Sequence, residues 1–207
     1  FTDPHLQTLI EKALNNNPDL LNAALNVDIA EQQVKAAKLS FLPSVVFAPT
    51  GTISHFGTHT SSTQSYSLPI SASWEVDLFG KLRSSKKAAQ MTMIQAQDYK
   101  VYAQTTLISS VANLYYTLLM LDRQKQIVDD MLGLTKNTWD VMKLQMEFGR
   151  ARSTSVQSAE AAFYSVQTQA ADIRRQIREA ENTLSLLLGE PAQTVARGSL
   201  DNQSLPA

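Results

Sequence analysis

Apolar residues along this chain follow two rhythms, a repeat of four and three over most of its length and a strict alternation in one stretch. The first predicts helices with a narrow seam for one partner helix, and the second predicts strands with one dry face. Asp3-Pro4 reads as an N-cap followed by proline at the first helical position, opening a short helix that runs to about Leu14. Asn17-Pro18 repeats the device. In the helix it opens, Ala23, Val27, Ala30, Val34, Ala37 and Phe41 form the seam, and Pro43 stops it.

From Ser44 to Leu78 the pattern alternates, broken by a polar stretch from Ser54 to Ser65, so two strands and a connecting loop are predicted. In the second strand Tyr66, Leu68, Ile70, Ala72, Trp74 and Val76 share one face, while Ser67, Pro69, Ser71, Ser73, Glu75 and Asp77 share the other. The first is less regular, with Val45, Phe47 and Ile53 opposite Thr50, Thr52 and Ser54, and each strand carries a proline that would interrupt a central ladder.

Beyond Gly80 there is no proline until Pro191, and the span from Leu82 to Phe148 reads as one helix of roughly 100 Å at ~1.5 Å per residue. Its distal half carries Leu107, Val111, Leu114, Leu118, Leu121, Val128, Leu132, Trp139, Met142 and Met146 as a seam, with Lys125 and Thr135 in the two remaining slots. After a turn at Gly149 to Arg152, with Ser153 or Thr154 expected as N-cap, a last helix repeats the spacing from Val156 through Phe163, Ala170, Ile177 and Leu184 to Leu187. Gly189 and Pro191 end it. The tight turn makes the two seams antiparallel neighbours. The last helix covers only the distal half of the long one, leaving the proximal half for the helix that begins at Pro18.

Composition narrows the function. Lys and Arg total 18 against 19 Asp and Glu, a net charge of -1 that offers nothing to a polyanion, so no nucleic-acid partner is expected. The absence of cysteine excludes disulfides, thiolate metal sites and a cysteine nucleophile. His55 and His59 lie in a predicted surface loop with no third ligand nearby, two or more of the six methionines belong to the seam, and Asp129, Asp130, Asp140 and Glu147 lack a pocket for acid-base work. Tyr115 and Tyr116 read as packing residues. No catalytic residue, cofactor or metal is expected. No apolar run approaches the ~20 residues of a membrane-spanning helix, but a strand of ~9 to 11 residues crosses the hydrocarbon layer when several close into a barrel. Alternation of this kind also suits the edge of a soluble sandwich.

The run Ser73-Trp74-Glu75-Val76-Asp77-Leu78-Phe79-Gly80-Lys81-Leu82-Arg83 resembles the W-E-x-D-L-F-G-x-x-R strand-to-helix junction of TolC-like outer-membrane efflux factors. Asn17-Pro18-Asp19-Leu20, Phe41-Leu42-Pro43, Phe148-Gly149 before Ser153, and Leu186-Leu187-Leu188-Gly189-Glu190-Pro191 resemble the same family in the same order. The resemblance implies a mainly α fold with a β-hairpin: a long antiparallel coiled-coil hairpin whose two strands contribute to an oligomeric transmembrane barrel. It divides the chain into N-terminal helices (1–43, equatorial and upper α-barrel), a transmembrane hairpin (44–80), the helical hairpin (81–189) and an extended linker (190–207). Such protomers hold two repeats and assemble as trimers, so this chain is read as the N-terminal one; a single-repeat hexamer is the alternative.

The same resemblance implies a passive, non-enzymatic duct in the Gram-negative outer membrane, with its helices in the periplasm. An inner-membrane pump and a periplasmic adaptor would be its partners, and drugs, small molecules or metal ions its cargo. Tyr66, Leu68, Ile70, Trp74 and Val76 would face lipid. Trp74, Glu75, Asp77, Leu78, Phe79, Gly80 and Arg83 would form the strand-to-helix junction, and Gly149, Arg150, Ala151, Arg152 and Ser153 the adaptor-docking tip. A type I protein secretion channel and a soluble coiled-coil scaffold are the rival readings. A repeat without its partners is also expected to expose its seams.

Overall fold

The computed structural model describes residues 3–55 and 62–200; His59 of the histidine pair lies outside them. Among the described residues four helices and four short strands follow in the order α1 (Pro4–Asn16), α2 (Pro18–Leu39), β1 (Ser44–Phe47), β2 (Thr50–His55), β3 (Ser62–Ser67), β4 (Ile70–Ser73), α3 (Lys81–Glu147) and α4 (Ser153–Leu187). The chain divides into two compact units. One joins the segment up to Asn22 with everything from Val101 onward, and the other spans Ala23–Lys100.

In the first unit the core gathers Leu6 and Leu9 of α1, Leu20, Leu107 to Leu121 of α3, Ile177 and Leu184 of α4, and Leu188 and Val195 beyond it. Antiparallel pairing of α3 with α4 is visible in contacts that step in opposite directions along the two helices. Trp139 stacks on Phe163 with ring centroids 5.4 Å apart, and further along Asp129 meets Arg174 at 3.5 Å. The expected seam of α4 is buried or half-buried throughout, and that of α3 is so except at Met146, where the hairpin tip leaves it open. The seam residues are therefore sheltered within the chain itself, contrary to the expectation of exposed seams.

Both polar slots are accommodated locally. Lys125 bonds Asp129 at 3.0 Å, which together with Arg174 holds the Asp129 carboxyl below the usual carboxylate range. Thr135 Oγ1 donates back to the Met131 and Leu132 carbonyls.

Asn17 is buried and serves three helix ends at once. Its backbone N–H closes α1 on Ala13, its Oδ1 accepts from Leu20 N at 3.0 Å to cap α2, and its Nδ2 donates to the Leu187 carbonyl at the end of α4. Asp3 caps α1 through His5 N at 2.9 Å, as its position before Pro4 predicts.

Tyr115 is fully buried, and packing is only part of its role: its hydroxyl donates to Asp3 Oδ2 and accepts from Gly198 N at 3.2 Å. Burial pushes the phenol up to about 12, and the bond to Asp3 adds to the shift. The segment after Gly189 is irregular up to Ser199, yet it packs on the helices through Val195, Arg197 and Gly198 rather than leaving them as a free linker.

In the second unit Ala23, Val27, Ala30 and Val34 are buried, and Leu82, Lys86, Ala89, Met93, Ala96 and Lys100 of α3 form a half-buried stripe with the same four-three spacing. α2 ends at Leu39, two residues before the expected Phe41, because the coming Pro43 disfavours helical geometry at Leu42; the chain closes with a tighter turn from Leu42 N to the Leu39 carbonyl, 2.9 Å.

The two expected strands are each split at their proline. β1 pairs with β4 and β2 with β3, all antiparallel, and Ser44↔Ser73 through His55↔Ser62 keep one register across the break. Pro49 and Pro69 have no N–H to give the ladder, so only Ala48 N to the Pro69 carbonyl, 3.3 Å, bridges the gap. The ladder also ends at Ser73. Tyr66 and Ile70 therefore lie in strands, Leu68 at the break, and Trp74 and Val76 beyond the last pair.

Truncating fully buried Leu118 to alanine is expected to cost about 2–5 kcal/mol. Met146→Ala, at the exposed end of the same seam, should stay within about 0.5 kcal/mol. Denaturant unfolding of the two variants checks the contrast. For Tyr115 the sign is also fixed: an unfolded tyrosine ionises near ~10, so the stability held by the neutral phenol is present below that pH and is lost as pH climbs towards about 12. Alkaline unfolding monitored in wild type and Tyr115→Phe should show this loss in the wild type alone.

Candidate functional site

At the strand-to-helix junction each polar residue of the Trp74-to-Arg83 run has a structural task. Asp77 accepts from Leu82 N at 3.3 Å and Arg83 N at 3.1 Å, capping the first turn of α3. Its carboxylate also meets Arg83 Nε at 3.5 Å, and its side chain is 7% exposed. Gly80 takes φ +76, and its carbonyl accepts the first helical bond from Ser84 N. Glu75 pairs with Lys81 at 2.8 Å and raises the lysine's affinity for its proton. Trp74 Nε1 donates to the Phe41 carbonyl at 3.2 Å, tying the start of the junction to the end of α2.

The apolar members point outward. Trp74 is 65% exposed, Leu78 80% and Phe79 98%. Ladder register puts Val45 opposite Ala72, Phe47 opposite Ile70 and Gly51 opposite Tyr66 on one face, with serines and threonines predominating on the other. The Tyr66 ring lies over Gly51, where a Cβ would come within 3.3 Å. Val45, Phe47, Ile53, Tyr66, Leu68 and Ile70 are all exposed, so the described residues contain no cover for this face.

At the other candidate site, α3 ends in a Schellman turn. Gly149 adopts φ +68, Gly149 N reaches the Met146 carbonyl at 2.9 Å and Arg150 N the Gln145 carbonyl at 2.8 Å. Arg152, not Ser153 or Thr154, is the N-cap of α4, and it makes no side-chain cap bond. The left-handed glycine reverses the chain in so few residues that Ser153 is already helical. Gly149, Arg150, Arg152 and Ser153 are exposed and Ala151 is half-buried.

Among the described residues no group of three or more His, Asp or Glu could hold a metal, and no helix is long and apolar enough to cross a membrane. Asp129 and Asp140 are paired with Lys125 and Lys143 at the surface, an arrangement of ion pairs and not of an acid-base dyad. The interactions that sequence reasoning missed are those of Arg197 with Asp122 and Glu181, whose positions share no local period.

The sequence model of the family described as outer membrane efflux protein matches residues 9–190. The chain belongs to that family. Its likeness to the cation efflux system protein CusC of Escherichia coli K12 is 28% identity over 213 residues, covering 100% of this chain and 47% of CusC. To the probable efflux pump outer membrane protein TtgC of Pseudomonas putida KT2440 it is 29% identical over 214 residues, covering 99% of this chain and 44% of TtgC. The open-state structure of the Neisseria gonorrhoeae MtrE outer membrane channel superposes with a TM-score of 0.78 at 27% identity, over 100% of this chain and 48% of MtrE. The chain thus spans about half the length of the relatives it matches. Its mainly helical fold with a β-hairpin is that of outer membrane efflux channels, and the family is one of transport ducts, not enzymes.

The junction and the helix ends separate strain from collision. Gly80→Ala, with open space around its Cβ, should cost only the left-handed backbone penalty of about 1–2 kcal/mol. Gly189→Ala adds a clash at 2.6 Å with the Asn16 carbonyl and should be the more destabilising by thermal unfolding. Asp77→Ala should cost about 0.5–2 kcal/mol and speed amide exchange at Leu82 and Arg83.

Proposed function

We propose that the chain is one repeat of an export duct of the Gram-negative outer membrane, a passive conduit whose energy comes from an inner-membrane pump through a periplasmic adaptor. The observation that carries this reading is the hairpin: a two-stranded ribbon with both edges open, one hydroxyl-lined face and one apolar face whose large side chains are exposed. Such a ribbon is unstable alone in lipid or in water, because unpaired N–H and C=O groups need partners and the apolar face needs cover. Closure with ribbons from further repeats meets both needs, with Tyr66, Leu68 and Ile70 towards lipid and the serines towards an aqueous lumen.

The helices support the same arrangement. On α3, Ile127, Met131, Leu134 and Val141 are 50%, 43%, 67% and 51% exposed and repeat the four-three spacing one residue before the seam that α4 fills. A helix with two adjacent seams packs between two neighbours, as the staves of a closed ring do. Three two-repeat protomers, or six single repeats, satisfy that closure. The Gly149–Ser153 turn is then the adaptor-docking tip, its two arginines offering exposed donors. Named relatives handle cations in one case and belong to an efflux pump in another, which supports drugs, small molecules or metal ions as cargo without choosing among them.

Single cysteines at Ile70 and Ser71, placed in the protein in outer-membrane vesicles, test the ribbon. A water-soluble thiol reagent should modify the Ser71 position and spare the Ile70 position, while equal labelling would reject the conduit in favour of a soluble scaffold. Ile70→Arg should destabilise the assembled barrel by about 2–4 kcal/mol if the residue lies near the bilayer midplane. Adaptor pull-down with Gly149→Val and Arg150→Glu/Arg152→Glu should lose capture; retained capture and efflux would remove the tip from the docking surface.

A further inference from the structure

Residues 190–198 lack regular secondary structure, yet they are fastened at several points to three different helices. Glu190 N closes on the Ser185 carbonyl at 3.0 Å, and Lys12 of α1 reaches the Glu190 carboxylate at 3.6 Å. Gln193 N donates to the buried Ser185 hydroxyl at 3.4 Å, and Val195 is buried.

The strongest fastening is Arg197. Its guanidinium spans α3 and α4, binding Asp122 through Nε and Nη2, the latter at 3.0 Å, and Glu181 through Nη1 at 2.5 Å, with the Arg197 side chain only 14% exposed. A planar guanidinium that satisfies two carboxylates from two helices fixes both position and orientation. Glu181 is itself buried and would be left without this partner if the segment lifted.

The next residue continues the chain of bonds in another direction. Gly198 N donates to Tyr115 Oη, Tyr115 Oη donates to Asp3 Oδ2, and Asp3 Oδ1 accepts from His5 N to cap α1. Asp3 therefore caps the first helix of the repeat while gripping, through one tyrosine, the segment by which the repeat ends. Chains of hydrogen bonds polarise one another in a low dielectric, so the two contacts are not independent.

We propose that Arg197 and Tyr115 form a latch that couples docking of the 190–198 strap to the seating of α1. The latch makes the strap part of the helical unit. Coupling of this kind is reciprocal: loosening α1 at Asp3 weakens the strap as loosening the strap weakens α1.

Hydrogen exchange on the 207-residue chain tests the latch. Arg197→Gln should accelerate exchange across 190–198 by about tenfold or more, the loss expected for hydrogen bonds to charged groups. It should also accelerate the first turn of α1, while peptides from 140–160 keep their wild-type rates. Tyr115→Phe keeps the ring and removes only the relay, so it should speed both Gly198 and the α1 first turn. Faster exchange of the strap with an unchanged α1 in both variants would overturn the coupling. Unchanged exchange of the strap in Arg197→Gln would overturn the latch itself, and if that variant loosens throughout, Tyr115→Phe decides alone.

Discussion

The helical unit depends on one buried face, that of α3 between Leu107 and Leu121. Val111, Tyr115 and Leu118 on it are wholly inaccessible, and α1, α4 and the strap all contribute to the core built around it. Burial there is dense because several elements share one stretch of helix. Towards the tip only α4 remains as partner, and the same four-three spacing yields half-buried residues such as Leu132, Trp139 and Met142. One periodicity thus supports two kinds of packing, and the number of neighbours, not the residue type, decides which.

Polar groups inside the unit follow from the same crowding. Where three helices and an irregular segment converge, backbone ends cannot all reach water, and Asn17, Asp3 and Tyr115 take up the bonds that water would otherwise supply. Arg197 does the same for two carboxylates. Its two acidic partners stand on different helices and come together only because α3 and α4 are antiparallel.

Periodic features were readable from the amino-acid order, while convergent ones were not. The seam of α2 as far as Ala37, that of α4, the caps at Asp3 and Asn17, and the left-handed glycines at 149 and 189 each follow from a short local pattern, and the structure places them as expected. The split of each strand was foreshadowed by Pro49 and Pro69, but their arrival at neighbouring levels of the ladder, Pro49 across from Leu68 and Pro69 across from Ala48, depends on a register that alternation alone leaves open. At the junction, the run from Trp74 to Arg83 was legible as a motif, whereas its physical content, a helix cap supplied by Asp77 from outside the helix, required coordinates. The Arg197 cluster gave no signal, since Asp122, Glu181 and Arg197 are brought together by tertiary packing.

The neighbouring prolines have a mechanical consequence for the ribbon. With no amide hydrogen on Pro49 or Pro69, the two ladders are joined across a crease by the bond from Ala48 N to the Pro69 carbonyl, so little hydrogen bonding would be surrendered by bending. The β1–β4 half, next to the helices, and the β2–β3 half, towards the chain reversal, can therefore adopt different curvature while each keeps its own ladder intact. A sheet assembled from such ribbons carries a ring of compliance at a fixed height, set by two residues per ribbon.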